Sequence, residues 1–145
     1  MNRVERFDLA AQALAQARRS NQEGMPVLVE GQKDVIALKS LGFNGPIEVL
    51  NRGWPVDQVA VWIVENYQAP VILLMDWDRT GGRLQRKLTN AFESLDFKYS
   101  DDLRKVLSKA MRPETLCLED LKAFADELLE SMELIEPQAN ARPSL

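Results

Sequence analysis

Three carboxylate side chains follow apolar stretches that have the composition of buried strands. Glu30 comes directly after Val27-Leu28-Val29, and Asp76 and Asp78 follow the most apolar stretch of the chain, residues 70–75. In open parallel sheets, ligands bind beyond the carboxyl ends of the strands. Asp76 and Asp78 are one residue apart, so on an extended chain both project to the same side. Paired carboxylate oxygens are ligands that Mg²⁺ prefers, so the sequence predicts a Mg²⁺ site here.

The remaining composition excludes most other kinds of active site. The 145-residue chain has no histidine and a single cysteine, Cys117. An internal disulfide, a cysteine zinc site, a Ser-His or Cys-His nucleophile and a histidine metal site are therefore all excluded. Acid–base or metal chemistry must come from carboxylates, lysine, tyrosine or hydroxyl groups. Cys117 itself is interpreted as a small core residue.

Strands that alternate with helices must position these carboxylates. The predicted elements are a helix over 2–19, strands over 26–30, 47–50 and 70–75, helices over 34–41, from Pro55 and over 83–95, and a weaker strand over 97–99. Two C-terminal helices follow, one beginning near Asp101 and one containing residues 121–132. This alternation predicts βαβ units, and hence an α/β fold with a parallel sheet of about four strands.

The domain organisation is predicted from the same pattern. Residues 1–24 form a helix that packs on the main domain, residues 25–136 form that domain, and residues 137–145 form a flexible tail. No uncharged apolar window reaches about 18 residues, which excludes a membrane span. The N-terminus also lacks an apolar signal core, so we expect a soluble, cytoplasmic protein.

Two segments of the sequence resemble the Toprim domain. These are Val29-Glu30-Gly31-Gln32-Lys33-Asp34-Val35 and Leu74-Met75-Asp76-Trp77-Asp78-Arg79-Thr80-Gly81. The Toprim pattern is a glutamate that ends the first strand and precedes glycine, with Asp-x-Asp ending the third. The match spans residues 25–95. It is most similar to the small stand-alone archaeal Toprim proteins, which also have a counterpart of Leu118-Glu119-Asp120-Leu121.

The resemblance implies a Rossmann-like three-layer fold and a role for each matching residue. Glu30, Asp76 and Asp78 are the predicted catalytic residues. Glu30 is the general acid/base or a metal ligand, and Asp76 and Asp78 hold Mg²⁺, for which Mn²⁺ may substitute. The residues expected to contact phosphate or nucleic acid are Lys33, Arg52, Arg79, Arg83, Gly31 and Gly81. Gly81 and Gly82 are expected to form a turn at which a helix starts.

The function implied by the resemblance is a Mg²⁺-dependent phosphodiester enzyme, namely a nuclease acting on RNA or DNA. The alternative is a non-catalytic nucleic-acid-binding or accessory module with a protein partner in a processing complex. A scaffold with a vestigial site is a third hypothesis. The chain has no room for the companion domains of a topoisomerase or a primase. Its net charge of −4 also means that nucleic-acid binding needs a local basic patch.

Several of these side chains also have a purely structural interpretation. Asp76 and Asp78 could simply form a turn before Gly81, and Glu30 could cap a helix. Asp34 is predicted to be a helix cap and Trp77 to be core packing. For Arg86 and Lys87, a solvated helix face is an equally good interpretation.

Overall fold

The computed structural model describes residues 1–137, which contain four short strands and six α-helices. The strands are β1 (Val27–Val29), β2 (Ile47–Val49), β3 (Val71–Leu73) and β4 (Tyr99–Ser100). The α-helices are α1 (Arg3–Gln22), α2 (Gln32–Ser40), α3 (Val56–Asn66), α4 (Arg79–Ser94), α5 (Asp102–Met111) and α6 (Ala125–Ile135). A 3₁₀ helix, Leu118–Phe124, precedes α6. The predicted tail over 137–145 lies outside the described residues, except for Pro137.

All four strands are parallel, in the order β2-β1-β3-β4, so the predicted α/β fold with a four-stranded parallel sheet is confirmed. The chain leaves β1 toward one edge of the sheet and leaves β3 toward the other. The carboxyl ends of β1 and β3 therefore flank the point at which the strand order reverses. In doubly wound folds this point is where ligands bind.

Side chains alternate between the two faces of the sheet, and each face has its own core. Val27, Val29, Ile72 and Leu74 pack in one core with α1, α2, α5 and α6. Leu28, Val71, Leu73 and Met75 pack in the other core with α3 and α4. These strand residues are almost fully buried on both faces, which is typical of a parallel sheet between two layers of helices. The layering is therefore Rossmann-like.

The start of α4 and the last predicted helix depart most from the prediction, while α1 and α2 differ from it by three residues or fewer at each end. Helix α4 begins at Arg79, not at residue 83, because the Asp78 side chain caps it by accepting the backbone N–H of Gly81. The predicted turn at Gly81 and Gly82 was therefore wrong, since both glycines lie in the first turns of α4. The periodic stretch 121–132 is also divided between the 3₁₀ helix and α6.

None of the helices within residues 1–137 is long and apolar enough to cross a membrane.

Candidate metal centre

The carboxyl ends of β1 and β3 bring Glu30 and Asp76 into contact. The two strands pair directly, with Leu28 opposite Leu73. Just beyond them, the backbone N–H of Asp76 donates to Oε2 of Glu30 at 2.7 Å. The structure therefore brings together residues that are 46 positions apart in the sequence. Glu30 does not cap α2, since Gly31 is the N-cap of that helix. Asp34, predicted to cap the helix, contributes from its third position by accepting the backbone N–H of Gly31.

The two aspartates are each fixed by a different backbone group. Oδ1 of Asp78 accepts the N–H of Gly81 at 2.7 Å, and Oδ1 of Asp76 accepts the N–H of Leu118 at 2.8 Å. The bond to Leu118 joins the end of β3 to the start of the 3₁₀ helix. A carboxylate has two oxygens, so each aspartate keeps one that accepts no backbone N–H within residues 1–137.

Burial and neighbouring acids together raise the affinity for protons of the carboxylate cluster, which consists of Glu30, Asp76 and Asp78. Burial is the main cause that raises the pKa of Glu30 to about 7, and the nearby charges of Asp76 and Asp34 add to it. Burial likewise raises the pKa of Asp76, with a further contribution from the charge of Asp78. Without a cation, this interacting pair therefore takes up a proton near neutral pH.

Asp34 adds a further titrating group next to this pair. Burial raises its pKa to about 6, and the charges of Asp76 and Glu119 act in the same direction. Asp34 is buried and its carboxylate holds the N-terminus of α2. It therefore has a structural role while contributing to the field at the cluster.

These pKa shifts predict how stability depends on pH. The pKa of Glu30 rises from 4.5 to about 7, and that of Asp34 rises from 3.8 to about 6. Between these values the folded protein holds protons that the unfolded chain has released, so the free energy of unfolding falls as pH rises. Metal-free protein is expected to be less stable at pH 8 than at pH 5.

Urea denaturation at a series of pH values measures this dependence. Glu30→Gln removes the larger shift and should flatten the slope, whereas Glu65→Gln, which changes an exposed residue of α3, should leave it unchanged. Equal slopes for the parent and the Glu30→Gln protein would contradict the assigned environment of Glu30.

Cys117 lies beside the aspartates and not in the core, so its predicted position was wrong. Its sulfur and carboxylate oxygens of Asp76 and Asp78 all lie within 4.8 Å of one another. The side chain is partly exposed, and burial together with the two aspartates raises the pKa of the thiol to about 11. The residue immediately precedes Leu118, whose N–H binds Asp76, and this bond brings the thiol to the cluster.

Arg104 of α5 is a second residue near the cluster that the sequence analysis missed. Its guanidinium donates to the backbone carbonyls of Met75 and Asp76 at 3.1–3.2 Å. Burial lowers its pKa, while the charges of Asp78 and Glu30 oppose that change. No motif marks this residue, because it lies 28 positions after Asp76 on another helix. It holds the end of β3 and places a positive charge next to the acids.

The predicted phosphate-binding arginines have different surroundings. Arg52 donates to the carbonyl of Val49 and to Glu48, and it lies over the rings of Trp54 and Trp62. Its guanidinium is thus bound away from the carboxylate cluster. Arg79 and Arg83 are exposed on α4 and have no hydrogen-bond or ion-pair partner within residues 1–137.

The other residues predicted to bind phosphate are a lysine and two glycines, and each has a defined place in the structure. Lys33 is exposed on α2 and lines a groove with Glu119 and Lys122. Gly31 is the N-cap of α2, and its N–H is taken by Asp34. Gly81 is buried, and a Cβ built there would lie 1.9 Å from the carbonyl oxygen of Asp76. Gly81 is therefore required by its contact with the backbone of Asp76.

Trp77 separates the two aspartates and points away from them, as predicted. It is 2% exposed, and its indole N–H donates to the carbonyl of Thr115 at 2.7 Å. The alternation of side chains thus sends Trp77 into the core while Asp76 and Asp78 remain partly exposed.

The oxygen donors of these aspartates suit Mg²⁺ or Mn²⁺, whereas the neighbouring thiol of Cys117 is a softer ligand.

Comparison with known proteins gives a family for this chain. No family model matches it. A UPF0292 protein from the archaeon Thermococcus onnurineus is 34% identical over 95 residues, which cover 66% of this chain and 69% of that protein. This chain belongs to the UPF0292 family. A UPF0292 protein from Methanosarcina acetivorans is 27% identical over 126 residues, covering 87% of this chain and 84% of that protein.

One solved structure adds information about the fold. A protein from Aquifex aeolicus superimposes with a TM-score of 0.63 over 75% of this chain and 94% of that one. The two sequences are 24% identical, so the likeness shows a shared fold alone. The UPF0292 relatives thus support membership of a family found in archaea, and their name carries no activity or substrate.

Proposed function

We propose that this chain is a Mg²⁺-dependent nuclease of Toprim type that acts on RNA or DNA. The observation that carries the proposal is the contact between Glu30 and Asp76 at the switch point of the sheet, with Asp78 beside Asp76. This edge of the sheet is where a doubly wound fold binds its ligand. The order of the three acids along the chain is that of the Toprim pattern.

The energetic state of the cluster supports a cation site. Acids that raise one another's pKa are destabilised by mutual repulsion and by burial, and a bound divalent cation relieves both effects. Asp76 and Asp78 would hold the ion through the oxygens not used by Leu118 and Gly81. Mg²⁺ binds through one or two carboxylates and keeps waters that substrate phosphate oxygens can replace.

Each residue then has a defined part in phosphodiester cleavage. A Mg²⁺ ion held by Asp76 and Asp78 would polarise the phosphodiester and stabilise its developing charge. Glu30, with a pKa of about 7, moves a proton at Oε1 or Oε2, either from the attacking water or to the leaving oxygen. Arg104 is a positioning residue, since it donates to the carbonyls of Met75 and Asp76 at the end of β3.

A cleavage assay tests the proposal. Purified protein should cut at least one of structured RNA, single-stranded RNA, single-stranded DNA or duplex DNA when Mg²⁺ is present, and none of them in EDTA. Glu30→Gln keeps an oxygen that can accept the N–H of Asp76 but removes the acid/base, so cleavage should fall by about 10²–10⁴-fold. The matched charge control is Glu65→Gln. Absence of Mg²⁺-dependent cleavage on the whole panel would contradict a nuclease.

A non-catalytic accessory module is the second candidate, and one observation favours it. Asp76 and Asp78 each hold a backbone N–H, and Glu30 holds that of Asp76, so the three acids also have structural roles that need no metal. Nucleic-acid binding without turnover in the same assay would select this function.

A further inference from the structure

We propose that the exposed face of α4 binds the sugar-phosphate backbone of a single-stranded nucleic acid next to the carboxylate cluster. This face, the α4 track, consists of Arg79, Arg83, Arg86 and Lys87. The inference deepens the proposed function, on which its link to cleavage rests. It extends the predicted contacts of Arg79 and Arg83 to the two residues for which a solvated surface was an equal alternative.

The first observation is the distribution of arginine partners. Within residues 1–137, Arg3, Arg6, Arg18, Arg19 and Arg52 pair with carboxylates, and Arg104 and Arg112 donate to backbone carbonyls. Arg79, Arg83 and Arg86 have no partner in that part of the chain, and all three lie on α4. The other described arginines all have partners, so these three are available to bind a ligand, and they lie on one helix.

The second observation is that the first turn of α4 carries a cation and no acid. The first turns of α1, α2, α3, α5 and α6 contain acids, which the positive end of the dipole stabilises. The first turn of α4 contains no acid and begins with Arg79, and the acid at this end is the capping Asp78. Arg79 therefore lies where the dipole disfavours a cation, and a phosphate bound there would offset that cost.

The third observation is the shape and direction of the α4 track. A groove of about 480 Å³ runs along it, lined by Thr80, Arg83, Leu84, Arg86, Lys87 and Asn90. The track begins directly after Asp78, which caps α4, and Arg79 and Lys87 are about 12 Å apart along the helix axis. A bound strand would thus extend from the carboxylate cluster along one helix. A track of this length fits a short binding site for single-stranded nucleic acid, since known site sizes start at about 4 nucleotides.

Charge favours one strand over a duplex. Residues 79–92 carry four positive side chains and no negative ones, so with a total of −4 the rest of the chain carries −8. A duplex presents charge on two strands over a wide surface and would meet these acidic surroundings. A single strand can stay on the narrow α4 track.

An aromatic side chain at the same edge of the sheet provides a place for a base to stack. Trp54 is 38% exposed, and it is supported by Trp62 in an edge contact and by Arg52 over its ring. Its loop begins at Asn51, whose N–H donates to the carbonyl of Glu30. Helices α3 and α4 pack side by side in one core, so Trp54 and the α4 track lie on the same side of the sheet. Basic grooves combined with exposed aromatic rings are typical of single-strand binding.

Fluorescence anisotropy tests the proposal without requiring turnover. The full chain with Glu30→Gln is titrated in EDTA onto labelled single-stranded RNA, single-stranded DNA and duplex oligonucleotides. Four phosphate contacts predict that single-strand affinity falls about fiftyfold between roughly 50 and 200 mM salt. Arg83→Ala with Lys87→Ala should weaken binding and reduce this fall to about sevenfold. Trp54→Ala should weaken binding about five- to a hundredfold with the same salt dependence.

The matched control is Lys39→Ala with Lys109→Ala, which removes two exposed and unpaired cations from α2 and α5 and should bind like the parent. Equal affinity and salt dependence for the two double variants, or tighter binding of duplex than of either single strand, would overturn the proposal. If the RNA and DNA single strands bind with different affinities, the proposal stands and the tighter binder identifies the substrate. If single strands bind but are not cleaved when Mg²⁺ is present, the nuclease activity is rejected and the role of the α4 track in strand binding is retained.

Discussion

Asp76→Asn is expected to abolish divalent-cation binding at the cluster and to lower Mg²⁺-dependent cleavage by about 10²–10³-fold. The asparagine side-chain oxygen can still accept the N–H of Leu118, so the junction between β3 and the 3₁₀ helix is preserved. What is lost is one negative oxygen ligand, and metal stabilisation of a phosphoryl transition state is worth several kcal/mol. The substitution therefore separates the chemical role of Asp76 from its structural role.

Isothermal titration with Mn²⁺ and the cleavage assay measure the two effects of Asp76→Asn together. Thermal unfolding in EDTA provides the control, since removing a negative charge from crowded acids should leave the variant at least as stable as the parent at pH 8. Full cation binding by Asp76→Asn would exclude Asp76 as a ligand. A collapse of stability would instead show that its charge is needed for folding.

Gly81→Ala is expected to destabilise the protein by about 3 kcal/mol, which lowers Tm by roughly 10 °C. A Cβ at residue 81 would lie 1.9 Å from the carbonyl oxygen and 2.6 Å from the carbonyl carbon of Asp76. Both are backbone atoms, so relief requires α4 to move away from the end of β3. That movement would also disturb the cap at Asp78 and the position of Asp76.

Gly82→Ala is the matched control for Gly81→Ala. A Cβ there would meet only Nη2 of Arg104 at 3.6 Å, an ordinary contact. Because alanine is about 1 kcal/mol better than glycine inside a helix, this variant should unfold at the same temperature or higher. Similar melting temperatures for the two variants would show that the close approach of α4 to Asp76 does not constrain residue 81.

The fold was predictable because its signals are local. The apolar stretches that become β1 and β3 and the helical periods between them fix the alternation of elements, and parallel pairing follows from the crossovers. The start of α4 was misjudged because two glycines normally indicate a turn. Their place in the helix depends on the Asp78 cap and on the contact of Gly81 with Asp76, which local propensity does not encode.

The candidate site was predictable only in part. Glu30, Asp76 and Asp78 could be placed together because they end strands that parallel pairing makes neighbours. Cys117 and Arg104 could not, because they reach the cluster through the 3₁₀ helix and α5, whose docking on the sheet depends on tertiary packing. Arg52 shows the converse, since a residue at the expected sheet edge is bound instead by Glu48 and two tryptophans.

The most direct test is anomalous diffraction from crystals of the protein soaked in Mn²⁺. We expect a single strong peak between Asp76 and Asp78, at the distance of a bound cation (about 2.1 Å) from one oxygen of each. A difference map without a peak there, while both aspartates still hold Leu118 and Gly81, would contradict a metal centre at this position.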